Sequence, residues 1–173
     1  KRLIIEQLEI ISKIADEEKH PISHVKPHGA LNNMACENRE ISISIGKAIL
    51  EFNKELIYVC LPMTQMERAG RDLNMNIACE IFADRNYEDN GNLVSRKLPH
   101  ALITNPEEAL NNTLNMLREK SIISYSGKKI PCNIDTVCLH GDGKTAVVLA
   151  KKLKEGLIKE KIELKNLNEI QRS

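Results

Sequence analysis

Hydrophobic positions along this chain switch between two periods, and the switching predicts helices and buried strands in turn. Leu3, Ile4, Leu8, Ile11 and Ile14 recur at helical spacing with Glu6, Glu9, Lys13 and Glu17 opposite, so an amphipathic helix should end before Pro21. Ile22–Lys26 reads as a strand, stopped by Pro27, which has no N–H to give a ladder. Ile41, Ile45, Ala48, Ile49 and Phe52 mark a second helix, after a loop holding Asn32, Asn33, Cys36 and Asn38. Leu56–Leu61 is continuously apolar, the pattern of a strand covered on both faces. A polar helix over Gln65–Leu73 and a strand over Ile77–Phe82, interrupted by Glu80, follow.

From Ala83 to Ile103 there is no periodicity, and a loop of that length in a compact domain is functional or mobile. Asn105-Pro106-Glu107-Glu108 then opens a helix: a capping Asn, Pro at the first position, acids at the positive dipole end. Leu110, Leu114 and Leu117 give it a buried face. Ser126-Gly127-Lys128 reads as the turn of a hairpin between Ile122-Ile123 and Ile130. Thr136–Leu139 is the next strand, and Ala146, Val147, Ala150 and Leu153 define a helix that Gly156 should end. Ile162–Leu164 reads as a short edge strand.

Strands and helices in this alternation predict parallel βα units, in one α/β domain spanning residues 1–173. An open doubly wound sheet and a barrel both satisfy the pattern. The chain opens at Lys1 inside a helical pattern, which leads us to expect upstream sequence in the natural protein.

Composition narrows the function. Aromatic residues are 3% and the net charge is +1 with both signs interspersed, which argues against nucleic-acid and anionic-membrane surfaces. Five cysteines (Cys36, Cys60, Cys79, Cys132, Cys138) contain no CxxC pair, the usage of reduced thiols in a cytoplasmic protein. No apolar run is long enough to span a bilayer. Neither GxGxxG nor GxxxxGK[ST] follows a strand, so no familiar nucleotide fingerprint is present.

Candidate chemistry lies where strands end. Val25-Lys26-Pro27-His28-Gly29-Ala30-Leu31 and Val137-Cys138-Leu139-His140-Gly141-Asp142-Gly143 both read as an apolar run followed by His-Gly. In parallel sheets strand C-termini share a rim, so Lys26, His28, His140 and Asp142 should meet there. Histidine suits acid–base work or metal binding. Asp142 is also placed to cap the following helix, Asp84-Arg85 to form a surface ion pair, and Met63, Met66 and Met75 to pack. Buried Glu80 would need a partner, with Arg85 and Lys26 the candidates. His20, His24 and His100 carry no supporting neighbours.

These blocks resemble the LamB/YcsF family. Val25–Asn33 is similar to its VKPHGALYN signature, Glu80–Tyr87 with Gly91–Arg96 to E-x-F-A-D-R-x-Y…G-x-L-V-x-R, and Asp135–Asp142 to DT-[IV]-C-x-HGD. Asn32 stands where the family has an aromatic, and His100 where it has a small residue. The family's DLNxDxGE, ACGxHAGD and GAHPG blocks have no counterpart in these 173 residues. The resemblance implies part of a distorted (β/α) barrel of the glycoside hydrolase/deacetylase type. It implies ATP-dependent ring opening of 5-oxo-L-proline to L-glutamate, with B and C subunits as partners and ATP as co-substrate; a divalent metal is left open. Carried onto this chain, it points to His28, Asp84, His140 and Asp142 for acid–base work or metal binding, and to Lys26, Arg85, Asn33 and Arg96 for the substrate. Two other readings stand beside it: a remnant acting at most as a binding module, and a metal-dependent deacetylase-like hydrolase resting on fold analogy.

Overall fold

The computed structural model describes residues 1–170 and realises the alternation of strand and helix. The helices are α1 (Arg2–Glu17), α2 (Gly29–Glu37), α3 (Arg39–Phe52), α4 (Gln65–Asp72), α5 (Pro106–Glu119) and α6 (Ala146–Lys159). The strands are β1 (His24–Val25), β2 (Ile57–Cys60), β3 (Ile77–Phe82), β4 (Ser121–Ile123), β5 (Lys129–Pro131) and β6 (Thr136–Cys138). They fall into two units, one of Lys1–Cys79 with the segment from Leu167, the other of Glu80–Asn166. The strand β3 begins in the first and ends in the second.

In the first unit β1, β2 and the start of β3 pair in parallel, with Val25 opposite Tyr58 and Cys60 opposite Cys79. All four residues of β2 are buried, as its unbroken apolar run requires. Helix α3 packs against α1, α2 and α4 and buries Ile45, Ala48 and Ile49. The expected loop over Asn32–Asn38 is instead α2. Its polar residues mask a helical face on which Asn32, Ala35 and Cys36 turn inward, so tertiary burial outweighs the loop-like composition. Only Asn38 separates α2 from α3; it caps α3 by accepting from the Ile41 N–H at 3.0 Å.

In the second unit the end of β3 pairs in parallel with β6, Ile81 opposite Val137 and Phe82 opposite Cys138. Helices α5 and α6 pack over Ala83, Ile103, Ala109, Leu149 and Leu153. Asn105 starts α5 as expected, its Oδ1 accepting from Glu107 N at 2.9 Å and Glu108 N at 3.3 Å. The hairpin β4–β5 also forms, turning at Gly127 with φ +88°. Residues 83–103 are irregular but packed: Tyr87, Val94 and Ala101 are buried, and the Phe82 N–H donates to Tyr87 Oη at 2.7 Å.

Two expectations in the last third are corrected. Gly156 does not end a helix, since α6 continues to Lys159; it lets α5 approach closely, because a Cβ there would lie 2.5 Å from Leu110 Cδ1. Ile162–Leu164 forms no strand, and Leu167–Glu169 makes one 3-10 turn. None of the five cysteines is in a disulfide, and no helix among the described residues is long and apolar enough to cross a membrane.

This packing makes two outcomes testable. Glycine in a helix interior normally costs about 1 kcal/mol relative to alanine. G156A should nevertheless lower the midpoint of thermal unfolding, because overpacking costs roughly 1–3 kcal/mol; adding L110A should make the alanine at 156 favourable. The second concerns the hairpin tip, where Asp89 Oδ1 accepts from the hydroxyls of Ser124 and Ser126, both at 2.6 Å. These hydroxyls hold its carboxyl below the usual carboxylate range. A depressed folded pKa means the contact is complete above the ordinary value of about 4 and is lost as pH falls through the lower folded value. Amide NMR signals of residues 124–128 should titrate with a midpoint below about 4, and D89N should abolish the transition.

Candidate functional site

Asp84 and Arg85 follow β3, Asp84 in a turn and Arg85 bridged to Leu102, and each finds a partner other than its neighbour. Asp84 and Arg85 form no ion pair with each other. Both Asp84 carboxylate oxygens lie against His140 Nδ1, at 3.0 and 2.9 Å, with each side chain 16% exposed. Phe82, two residues before Asp84, stacks on the His140 ring at a centroid distance of 5.5 Å. The pair exists because β3 and β6 run parallel in register, so both chains leave the sheet at the same end. A carboxylate at Nδ1 selects the tautomer with its proton there and leaves Nε2 as the nitrogen for chemistry.

The pair lines a cleft of about 280 Å³ in the second unit. Asp142 and Arg96 line the same cleft, with Leu102, Ile103 and Leu149 forming its apolar side and Thr104 and Thr145 its polar edge. Four of the eight residues expected at a site are therefore together: Asp84, His140, Asp142 and Arg96. Asp142 does not cap α6, as its position had suggested; Thr145 takes the N-cap place, and Asp142 stays exposed at the cleft. Among the described residues no group of three or more His, Cys, Asp or Glu side chains is gathered to hold a metal.

Arg85 is buried and holds the irregular segment together. Its guanidinium donates from Nε to Ala101 O at 3.2 Å and from Nη2 to Val94 O at 2.7 Å. Burial first, and then the nearby Arg96, lower its pKa. Glu80 is buried in β3, and the Arg85 contacts to Ala101 and Val94 put that guanidinium on carbonyls.

In the first unit, Lys26 is half-buried just past β1, His28 is exposed at the N-cap of α2, and Asn33 is exposed on α2. Sequence reasoning did not single out Phe82, Thr104 or Thr145. The spacing of Phe82 two residues before Asp84 was a usable signal; the two threonines carry none. Met66 and Met75 pack as expected, but Met63 is 42% exposed and does not.

Comparison with known proteins agrees with this fold. Residues 1–172 match the sequence profile of the LamB/YcsF family. The A subunit of 5-oxoprolinase from Staphylococcus haemolyticus (strain JCSC1435) is 42% identical over 165 residues, which are 95% of this chain and 66% of that protein. A protein of the same name from Staphylococcus epidermidis (strain ATCC 12228 / FDA PCI 1200) is 41% identical over the same shares. The crystal structure of the lactam utilization protein from Thermus thermophilus superposes with a TM-score of 0.84 at 33% identity, covering 94% of this chain and 64% of that one. The α/β class of parallel βα units stands. This chain spans just under two thirds of the length of these relatives.

If Arg85 is replaced, the Val94 carbonyl loses its guanidinium donor, while the Ala101 carbonyl keeps the Asn86 N–H at 3.1 Å. Each unsatisfied group costs about 1–3 kcal/mol, so R85M should lower stability measurably in chemical denaturation. An unchanged midpoint would show that Arg85 does not hold the segment.

Proposed function

This chain belongs to the LamB/YcsF family, and from that membership we propose that it acts in the ATP-dependent ring opening of 5-oxo-L-proline to L-glutamate, in the cytoplasm and together with B and C subunits. The observation that carries the chemical part is the Asp84–His140 pair at the wall of a cleft. The names of the staphylococcal relatives, each one component of a 5-oxoprolinase, support the substrate and the assembly.

Lactam hydrolysis needs a base for the attacking water and an acid for the departing amide nitrogen. His140 can perform both. Through Nε2 it takes a proton from water as oxygen bonds to the ring carbonyl carbon, then returns that proton to nitrogen as the C–N bond breaks. Asp84 keeps the ring in the productive tautomer and stabilises its protonated form. Arg96 supplies a fixed positive charge for the substrate carboxylate. Asp142 is a second carboxylate for proton transfer. Lys26, His28 and Asn33 enter through their motif, Lys26 and Asn33 as substrate contacts and His28 as an acid–base group. ATP enters as co-substrate from the family resemblance; the Gly141–Gly143 turn lacks the spacing of a phosphate loop, and no step is derived through it.

The test is a chimera placing the N-terminal third of the S. haemolyticus relative ahead of Lys1, assembled with B and C subunits. It should show 5-oxoproline-dependent ATP hydrolysis and glutamate release; absence of both would overturn the proposal. D84N and H140A should each lower kcat by at least about tenfold, and the double variant should be little worse than either alone, because residues acting as a unit are not additive. R96A should act mainly on KM.

A further inference from the structure

His140 is gripped at its Nδ1 edge by Asp84, whose two carboxylate oxygens lie 3.0 and 2.9 Å away. That contact selects the tautomer and places one nitrogen. It does not fix the plane of the ring, because the outer torsion of a histidine has no sharp rotamer wells. An imidazole free to turn about the carboxylate would swing Nε2, and a misplacement of about 1 Å can cost roughly a hundredfold in rate. A second contact is needed to hold the plane.

Phe82 makes that contact. Its ring lies over the imidazole with centroids 5.5 Å apart and planes 25° from parallel, within the range of offset stacks. The backbone beneath it is fixed from both edges. Phe82 stands opposite Cys138 in the β3–β6 register, and the Ala83 N–H donates to Cys138 O at 3.0 Å. The Phe82 N–H therefore points to the other edge of β3, where the fully buried Tyr87 accepts it through Oη at 2.7 Å. Ala83 and Leu139, the chain neighbours of Phe82 and His140, pack with Ala109, Leu149 and Leu153 in the core. Each ring is thus carried on backbone that its neighbour anchors.

We propose that Phe82 is a positioning residue for His140: its ring face holds the imidazole plane, so that Nε2 keeps one direction while Asp84 sets the tautomer. The same face favours the imidazolium formed when His140 takes up a proton, since a ring quadrupole attracts a cation within about 6 Å. The assignment deepens the acid–base reading of His140 and rests on it.

In the chimeric complex described above, F82L and F82M keep apolar volume and remove the flat face. Each should lower kcat at least about tenfold while KM for 5-oxoproline changes less than about twofold. In an H140A background F82L should cost no more than about twofold further, because a residue acting through His140 has nothing left to position. NMR relaxation of the His140 ring C–H groups gives a readout independent of turnover. Their order parameters should fall in F82L from the rigid range toward about 0.6. Unchanged kcat in both F82L and F82M overturns the inference and leaves the 5-oxoprolinase reading intact, since the wild-type complex still turns over. A loss that multiplies in the H140A background, or a His140 ring that stays equally ordered in F82L, makes Phe82 a packing residue and overturns it too. A wild-type complex without activity overturns the reading and the inference together.

Discussion

A strand buried on both faces must satisfy every backbone donor and acceptor through its neighbours, because water cannot reach it. The strand β3 meets that demand by pairing with β2 along its first half and with β6 along its second. All six of its residues are buried, including Glu80. The rest of the second unit depends on that ladder. The register of Phe82 with Cys138 decides that Asp84 and His140, each two residues further on, leave the sheet side by side.

The pair shows how little of a site resides in adjacency along the chain. Asp84 and Arg85 are neighbours, yet one faces a histidine 56 positions downstream and the other spans two carbonyls of the 83–103 segment. Arg85 shapes the cleft indirectly, by holding the segment that carries Arg96 and Leu102 to its wall. A stiff frame of this kind suits acid–base chemistry, which requires groups held to within a fraction of an ångström.

Local rules are broken at two places, and each has its own physical reason. Gly156 sits inside α6, where glycine is unfavourable, because the approach of Leu110 leaves no room for a Cβ. Met63 occupies a glycine-like conformation at a strand end with its side chain largely in solvent. The first exception serves packing. The second serves the turn before α4, where the Met63 N–H donates to Glu67 Oε2 at 2.6 Å.

Much of the architecture was legible from pattern alone. The apolar run Ile77–Phe82 became a strand with those bounds, Asn105-Pro106 opened a helix, and the turn at Ser126–Lys128 joined a hairpin, because burial period, capping and turn chemistry are local properties. The motif blocks also named four of the residues that line the cleft: Asp84, Arg96, His140 and Asp142. Where the sequence misled, the competing force was tertiary. Burial made a helix of the polar stretch Asn32–Glu37, and close helix packing kept Gly156 inside α6; Ile162–Leu164 pairs with no strand. The chain determined which residue types could do chemistry. Only the paired strands decided that the carboxylate of Asp84 belongs to His140 and the guanidinium of Arg85 to the backbone, since hydrogen-bond partners are chosen by what three-dimensional packing brings within about 3 Å.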